Sequence, residues 1–448
     1  MPINILNLAS LVIDKVEESE HDYHIHAHGL NNPEICPTCG GNEIVGFGRN
    51  EQLVKDLPIH GKRVGIYFDT RRYRCKVCSK TFLDQHPDFH PERAMTARLV
   101  KWIGKQSIKR TFASIAEETG VVEGTIRNIF RDYINELEKT IRFETPKWMG
   151  IDEIHLIKPR GVISNIQNNT VVELLPNRNK ETIIKYLSGL QGKEEIAYVA
   201  MDMWLPYRDA VELVLPQAKI VIDKFHVVKM ANEAMERIRK HFRESLDPKE
   251  RRGLMHDRFV LLKRQSELTD KETLLLSGWT NNFPTLSLAY QLKEDFFKIY
   301  EAKSRNDALM LFANWEISVT HEVRDAFKDL IRAWRNWQPY ILNYFDHPIT
   351  NAYTESLNNL IRVMNRLGRG YSFEALRAKI LFSEGAFKKG LKRPKFERQN
   401  NRVMNKDFSN IAFYGLAGDL NQSNTEETEI NYGVDISILT RMIEDGEI

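Results

Sequence analysis

Three acids that stand far apart in the chain offer the chemistry worth reading first: Asp152 in GIDEIHL, Asp202 in VAMDMW and Glu355 in TESLNNLIRVMNRL. The stretch around Glu355 has helical periodicity. Leu357, Leu360, Ile361 and Met364 share one face, and Glu355, Asn358, Asn359, Arg362 and Arg366 share the other. A carboxylate followed by amides and guanidiniums suits metal and phosphate, although exposed charge on a helix is ordinary. The two aspartates change that balance. Three carboxylates, completed by water and phosphate oxygens, suit Mg²⁺ or Mn²⁺. Two such ions about 3.5–4 Å apart can activate an attacking oxygen and stabilise the leaving one in a displacement at phosphorus.

For these acids to meet, the elements around them must form a sheet edge with a helix across it. KWMGIDEIHLI, GVISNIQ and NTVVELLP read as strands, and NKETIIKYLSGL as a helix. EIAYVAMDMW follows as an almost continuously apolar strand, PYRDAVELVLP as a helix and AKIVIDKFHVV as a strand. The order β-β-β-α-β-α-β lets the first strand, which contains Asp152, and the fourth, which ends at Asp202, lie side by side. Strand ends at such a junction are where α/β sheets place their sites. Glu153 alternates to the opposite face of its strand. Asp223 closes the core of the last strand and precedes His226; it could be a ligand, orient one or cap a helix, and an orienting role for both residues is the reading favoured.

The four cysteines of the chain form two pairs, Cys36–Cys39 and Cys75–Cys78, each of Cys-x-x-Cys spacing. Two such knuckles joined by strands that turn near His60-Gly61-Lys62 make a zinc ribbon. Four thiolates leave the ion no open position, so one structural Zn²⁺ is expected. Arg71, Arg72 and Arg74 beside the second knuckle could grip phosphate. From about Pro91 to Thr140 the pattern is helical. A short helix (Phe112 to Glu118), a turn at Gly120 and a second helix from Glu123 or Gly124 form a helix-turn-helix. Its core would be Ile115, Val121 and Ile126, and its second helix would offer Thr125, Arg127 and Asn128 to a DNA groove.

From about Lys229 to Phe345 the chain reads as an all-α insertion whose Trp279, Trp315, Trp334 and Trp337 belong to a core. Composition agrees with a folded, multidomain α/β chain: 448 residues, 42% hydrophobic and 10% aromatic. No signal peptide or membrane span is apparent, so a cytoplasmic location without membrane partners is expected. Charge is uneven. Residues 358–406 carry thirteen Lys and Arg against three Glu, which fits a polyanionic partner, whereas residues 419–448 carry eight acids and one Arg.

CPTCGG, TRRYRCKVCSKTF, GIDEIHL, VAMDMW, VIDKFHVV and TESLNNLIRVMNRLGRGYSFEALRAKILF together resemble the bacterial insertion-sequence transposases of the ISL-three type, within the DDE group. The resemblance spans nearly the whole chain. It implies an RNase H-like core interrupted by a helical insertion, with Asp152, Asp202 and Glu355 as metal-binding triad and Asp223 and His226 as an associated motif. It also implies cleavage at terminal inverted repeats and transfer of the exposed 3′-hydroxyl to target DNA. Asn358, Asn359, Arg362 and Arg366 would then hold DNA near two Mg²⁺ or Mn²⁺ ions, on at least a homodimer. The expected divisions are a zinc ribbon (1–90), a helix-turn-helix (91–145), the first part of the core (146–228), the insertion (229–345), the final core helices (346–395) and a C-terminal extension (396–448). Two alternatives remain at this stage: a DNA-binding regulator without catalysis, and an RNase H-like nuclease or resolvase without strand transfer.

Overall fold

The structure, a computed structural model, describes residues 5–83 and 86–388. The acidic tail and most of the basic block beyond α14 lie outside the described residues. Five strands come first: β1 (Leu11–Glu18), β2 (Asp22–Gly29), β3 (Ile44–Ile59), β4 (Lys62–Cys75) and β5 (Thr81–Leu83). They form one sheet of order β1-β2-β4-β3, with β5 paired to β4. The β3–β4 hairpin turns through His60 and Gly61, both at positive φ (53° and 78°), the backbone that a tight hairpin needs. In β2, Tyr23, Ile25 and Ala27 point inward and His24, His26 and His28 do not. In β4, Val64, Ile66 and Phe68 meet them in one core. Strands β1 and β2 form a full hairpin, with β2 parallel to β4.

Three helices follow: α1 (Ala97–Lys109), α2 (Phe112–Thr119) and α3 (Glu123–Thr140). The first begins six residues after Pro91, where helix was expected. Thr96 caps it, accepting from the Leu99 N–H at 3.3 Å. Buried Asp56 of β3 fixes that start, accepting from Thr96 Oγ1 at 2.6 Å and Arg98 Nε at 2.9 Å. Gly120 ends α2 at φ 65°, and Ile115, Val121 and Ile126 are buried between the helices as expected.

The second sheet comprises β6 (Trp148–His155), β7 (Pro159–Asn165), β8 (Thr170–Leu175), β9 (Tyr198–Met201) and β10 (Lys219–Ile222). Helix α4 (Lys180–Ser188) precedes β9, and α5 (Leu205–Val214) precedes β10. The strand order is β10-β9-β6-β7-β8, antiparallel through β6, β7 and β8 and parallel through β6, β9 and β10. The expected last strand is shorter than the sequence pattern implied. It stops at Ile222 because Asp223 accepts from the Phe225 N–H at 3.3 Å and starts α6 (Lys224–Glu244).

Six helices succeed α6 before the chain returns to the sheet: α7 (Pro248–His256), α8 (Arg258–Leu262), α9 (Asp270–Asn282), α10 (Pro284–Ile299), α11 (Arg305–Ser318) and α12 (His321–Asp346). Trp315, Trp334 and Trp337 are buried among them, and the Trp315 indole N–H donates to the Leu292 carbonyl at 2.8 Å. Two further helices, α13 (Ala352–Leu367) and α14 (Phe373–Ile380), then cross the second sheet, and a π-helical turn (Leu381–Ala386) follows. Leu357 and Ile361 of α13 and Leu376 and Ile380 of α14 pack on Ile154, Val162 and Leu174 of the strands.

Candidate active site and nucleic-acid surfaces

Parallel pairing sets Ile151 of β6 opposite Met201 of β9, and Ile222 of β10 opposite Met201 on the other side. Asp152, the next residue within β6, and Asp202 and Asp223, which follow the last residues of β9 and β10, therefore stand side by side across three adjacent strands. Helix α13 is docked over the same sheet by its first turn. Asn351 Nδ2 donates to the Ile151 carbonyl at 3.3 Å, and the Ser164 and Thr354 hydroxyls are bonded at 2.5 Å. Gly150 makes this approach feasible, since a Cβ there would stand 2.6 Å from Thr354 Oγ1 and 2.5 Å from Asn351 Oδ1. Glu355 stands in the first turn of that helix.

Each strand acid has a partner that holds it. Asp152 is buried. Its Oδ1 accepts from the Glu153 N–H at 2.7 Å and its Oδ2 from Asn358 Nδ2 at 2.8 Å. Asp202 Oδ1 lies 2.9 Å from His226 Nδ1, which is also 3.8 Å from Asp223 Oδ2. Burial, and then the charge of Asp202, push the Asp152 carboxyl up to about 7, against the pull of the Glu153 N–H and of His226. Asp223 is raised by its burial. Burial lowers the His226 pKa, but the adjoining Asp202 carboxylate outweighs that and raises it. Glu355 reaches solvent at its tip and is raised by partial burial, with Asp223 and Asp202 adding to the shift and His226 opposing it.

Carboxylates that raise one another's pKa are short of positive charge, and oxygen donors alone suit a hard divalent cation. The residues fit such an ion. Even so, their ligand atoms do not all lie within 4.8 Å of one another; among the described residues only the four cysteines form a set that close.

Beside Asp202 opens a cleft of about 280 Å³ whose walls include Trp204, Tyr207, His226, Lys229 and Glu233. Glu153 turns away from the acids to pair with Arg178, whose guanidinium rests 4.6 Å from the Trp204 ring centroid. The sequence reading missed Arg178, Trp204 and Lys229. Each stands in a different element from the acids, and no spacing rule links them.

Asn358 departs from expectation. Only 3% exposed, it lies on the buried side of α13 with Thr354, Leu357 and Ile361, whereas Leu360 is 37% exposed. The outward ridge is Glu355, Asn359 and Arg366, with Arg362 half-buried and donating to Asn359 Oδ1 at 2.8 Å.

The knuckles close as expected. Sulfur–sulfur distances are 3.8 Å for Cys36–Cys78 and 3.6 Å for Cys39–Cys75, and Gly40 turns at φ 72°. Four thiolates at this spacing fit one tetrahedral Zn²⁺. Nearby, Arg71 donates to Asn32 Oδ1 at 2.7 Å and Arg72 to Thr81 Oγ1 at 2.9 Å. Arg72 and Arg74 both reach the ring of Phe47, at 5.6 and 5.7 Å. Phe47 sits in a register shift between Gly46 and Arg49 and is 49% exposed, an aromatic contact the sequence reading overlooked.

On α3, Asn128 is exposed, Thr125 is half-buried, and so is Arg127. It pairs with Glu123 and lies 5.1 Å from the Phe112 ring, at the wall of a cleft of about 520 Å³ between α3 and α14. Buried Lys379 of α14 ties that junction together, donating to the Arg110 carbonyl at 2.8 Å and to the Ser107 carbonyl. The rings of Phe112, Tyr371 and Phe130 surround it.

A thiolate zinc site and a helix-turn-helix ahead of a mixed sheet with clustered acids define an enzyme that acts on DNA. Comparison with known proteins agrees. Residues 149–380 match a family of ISL3 type described as "Transposase", residues 32–78 the "zinc-finger of transposase IS204/IS1001/IS1096/IS1165", and residues 85–134 the "Helix-turn-helix domain of transposase family ISL3". The chain belongs to the ISL3 family of transposases. It is 23% identical over 345 residues to the transposase for insertion sequence element IS1001 of Bordetella parapertussis, covering 75% of this chain and 85% of that one. It is 25% identical over 267 residues to the transposase for insertion sequence element IS1557 of Mycobacterium tuberculosis (strain CDC 1551 / Oshkosh), covering 53% and 60%. No helix among the described residues is long and apolar enough to cross a membrane.

Proposed function

We propose that this chain cuts DNA at the ends of its own insertion sequence and joins those ends to target DNA, using Asp152, Asp202 and Glu355 as a cation-binding triad on an RNase H-like core. The observation that carries the reading is the register of β6 and β9, which sends two aspartates out side by side beneath the helix that bears Glu355. Residues 229–345, from within α6 into the last turn of α12, are read as an insertion between β10 and that helix, and the chain is divided at the boundaries expected from sequence.

The triad would hold two Mg²⁺ or Mn²⁺ ions, which supply Lewis acidity at the phosphate. His226 keeps the Asp202 carboxylate in place, and Asp223 anchors the start of α6 beneath it. Arg362 and Arg366, on the outer ridge of α13, hold the scissile strand by its phosphates. In the first step the oxygen of water bonds to phosphorus and the 3′-oxygen leaves with a proton. In the second that 3′-hydroxyl bonds to a target phosphorus and expels the target's own 3′-oxygen. The zinc ribbon and helix-turn-helix bind the terminal inverted repeats, through phosphate contacts from Arg71, Arg72 and Arg74 and base contacts from Thr125 and Asn128. Joining two ends calls for at least two copies on DNA.

A Mg²⁺-dependent assay on DNA carrying the element's inverted repeats tests this. Asp152→Ala should lower cleavage by roughly 10³-fold or more, the loss of several kcal/mol of transition-state stabilisation, and leave specific binding intact. Loss of binding together with cleavage would defeat the assignment. Products that are cut but never joined would favour a nuclease without strand transfer.

A further inference from the structure

Asn358 is 3% exposed, and its amide nitrogen has two acceptors, Asp152 Oδ2 at 2.8 Å and the Glu153 carbonyl at 3.3 Å. Two acceptors settle which way the amide faces, because the flipped orientation would set oxygen against oxygen. The Asn358 Oδ1 is then left buried with no hydrogen-bond partner in the protein. Buried amide oxygens are normally paired, and one that is not calls for an explanation. Packing alone does not supply one, since Leu357 and Ile361 already anchor α13 on the strands. The residue also stands one helical turn beyond Glu355. The helix that delivers the third acid thereby grips the first, whose other oxygen is held by the Glu153 N–H.

We propose that Asn358 is a positioning residue for the cation site: its Nδ2 fixes the rotation of the Asp152 carboxylate, and the unpaired, water-inaccessible Oδ1 is the cost of holding the amide that way round. This rests on reading Asp152 as a cation ligand. Groups that orient ligands in this way typically alter metal affinity 10–100-fold when removed. A role limited to holding α13 in place would alter stability and leave affinity at a folded site unchanged.

The test is Mn²⁺ titration of the full-length protein, followed by the paramagnetic resonance of free Mn²⁺. Wild type, Asp152→Asn, Asn358→Leu and Asn358→Ser are compared, with circular dichroism on each. Leucine preserves the bulk, and serine covers the case in which leucine is not accommodated. The expected result is a wild-type site abolished by Asp152→Asn and weakened at least tenfold in the folded Asn358 variants. Affinity within twofold of wild type in either folded variant would overturn the inference while leaving the triad standing. A wild type with no site sensitive to Asp152→Asn would overturn the triad and this inference together.

Discussion

Burial and the neighbouring charge of Asp202 raise Asp152 to about 7, and this has a consequence for stability. A carboxyl raised in the folded state binds its proton more tightly there than in the unfolded chain. Below about pH 4 both states are protonated and there is no penalty; between about 4 and 7 the penalty grows, and above 7 it is complete. Asp152→Asn in Mg²⁺-free buffer should therefore raise the thermal midpoint at pH 8 and change it little near pH 4.5. The gain should be on the order of 2–4 kcal/mol at the higher pH. A midpoint shift independent of pH would show that Asp152 is not strained by its surroundings. At this scale the sequence was readable for residue types but less so for their direction. A helix wheel built on apolar residues put Asn358 outside and Leu360 inside. The inner face of α13 is instead Thr354, Leu357, Asn358 and Ile361, two of them polar and held by contacts that only the fold creates.

The position of Glu355 depends on how closely one element approaches another. The first turn of α13 lies against β6 because Gly150 has no side chain. Gly150→Ala should push that turn outward, costing about 1–3 kcal/mol as overpacking does, and should depress cleavage more than binding of the inverted repeats. Circular dichroism and paired binding and cleavage assays would check this; a variant with full cleavage would show that α13 need not sit so close. The strands themselves were legible. An almost continuous apolar run marked β9 as buried, and the strand order allowed it to lie beside β6. Less legible were starts set by tertiary contacts. Pro91 looked like a first helical residue, yet α1 waits for Thr96, whose position is secured by Asp56 forty residues away. The apolar FHVV read as strand and is helix, because Asp223 caps it.

Across the whole molecule, the helix-turn-helix and the sheet with the clustered acids are different parts of one chain, and they meet where Lys379 of α14 reaches the last carbonyls of α1. If the zinc ribbon serves recognition, replacing Cys36 and Cys75 with serine should release zinc and abolish specific binding of the ends, because a structural zinc site is part of the fold it closes. Zinc content by metal analysis and binding by mobility shift would report both. Zinc loss without loss of binding would assign the ribbon to another task. The central claim concerns the triad, and it can be tested without any reaction on DNA. Fe²⁺ loaded in place of Mg²⁺, with ascorbate and peroxide, cuts a polypeptide close to wherever the ion is held. Cuts near Asp152, Asp202 and Glu355 together, all lost in Asp152→Asn, are predicted. Cuts near the two aspartates with none near Glu355 would contradict the account.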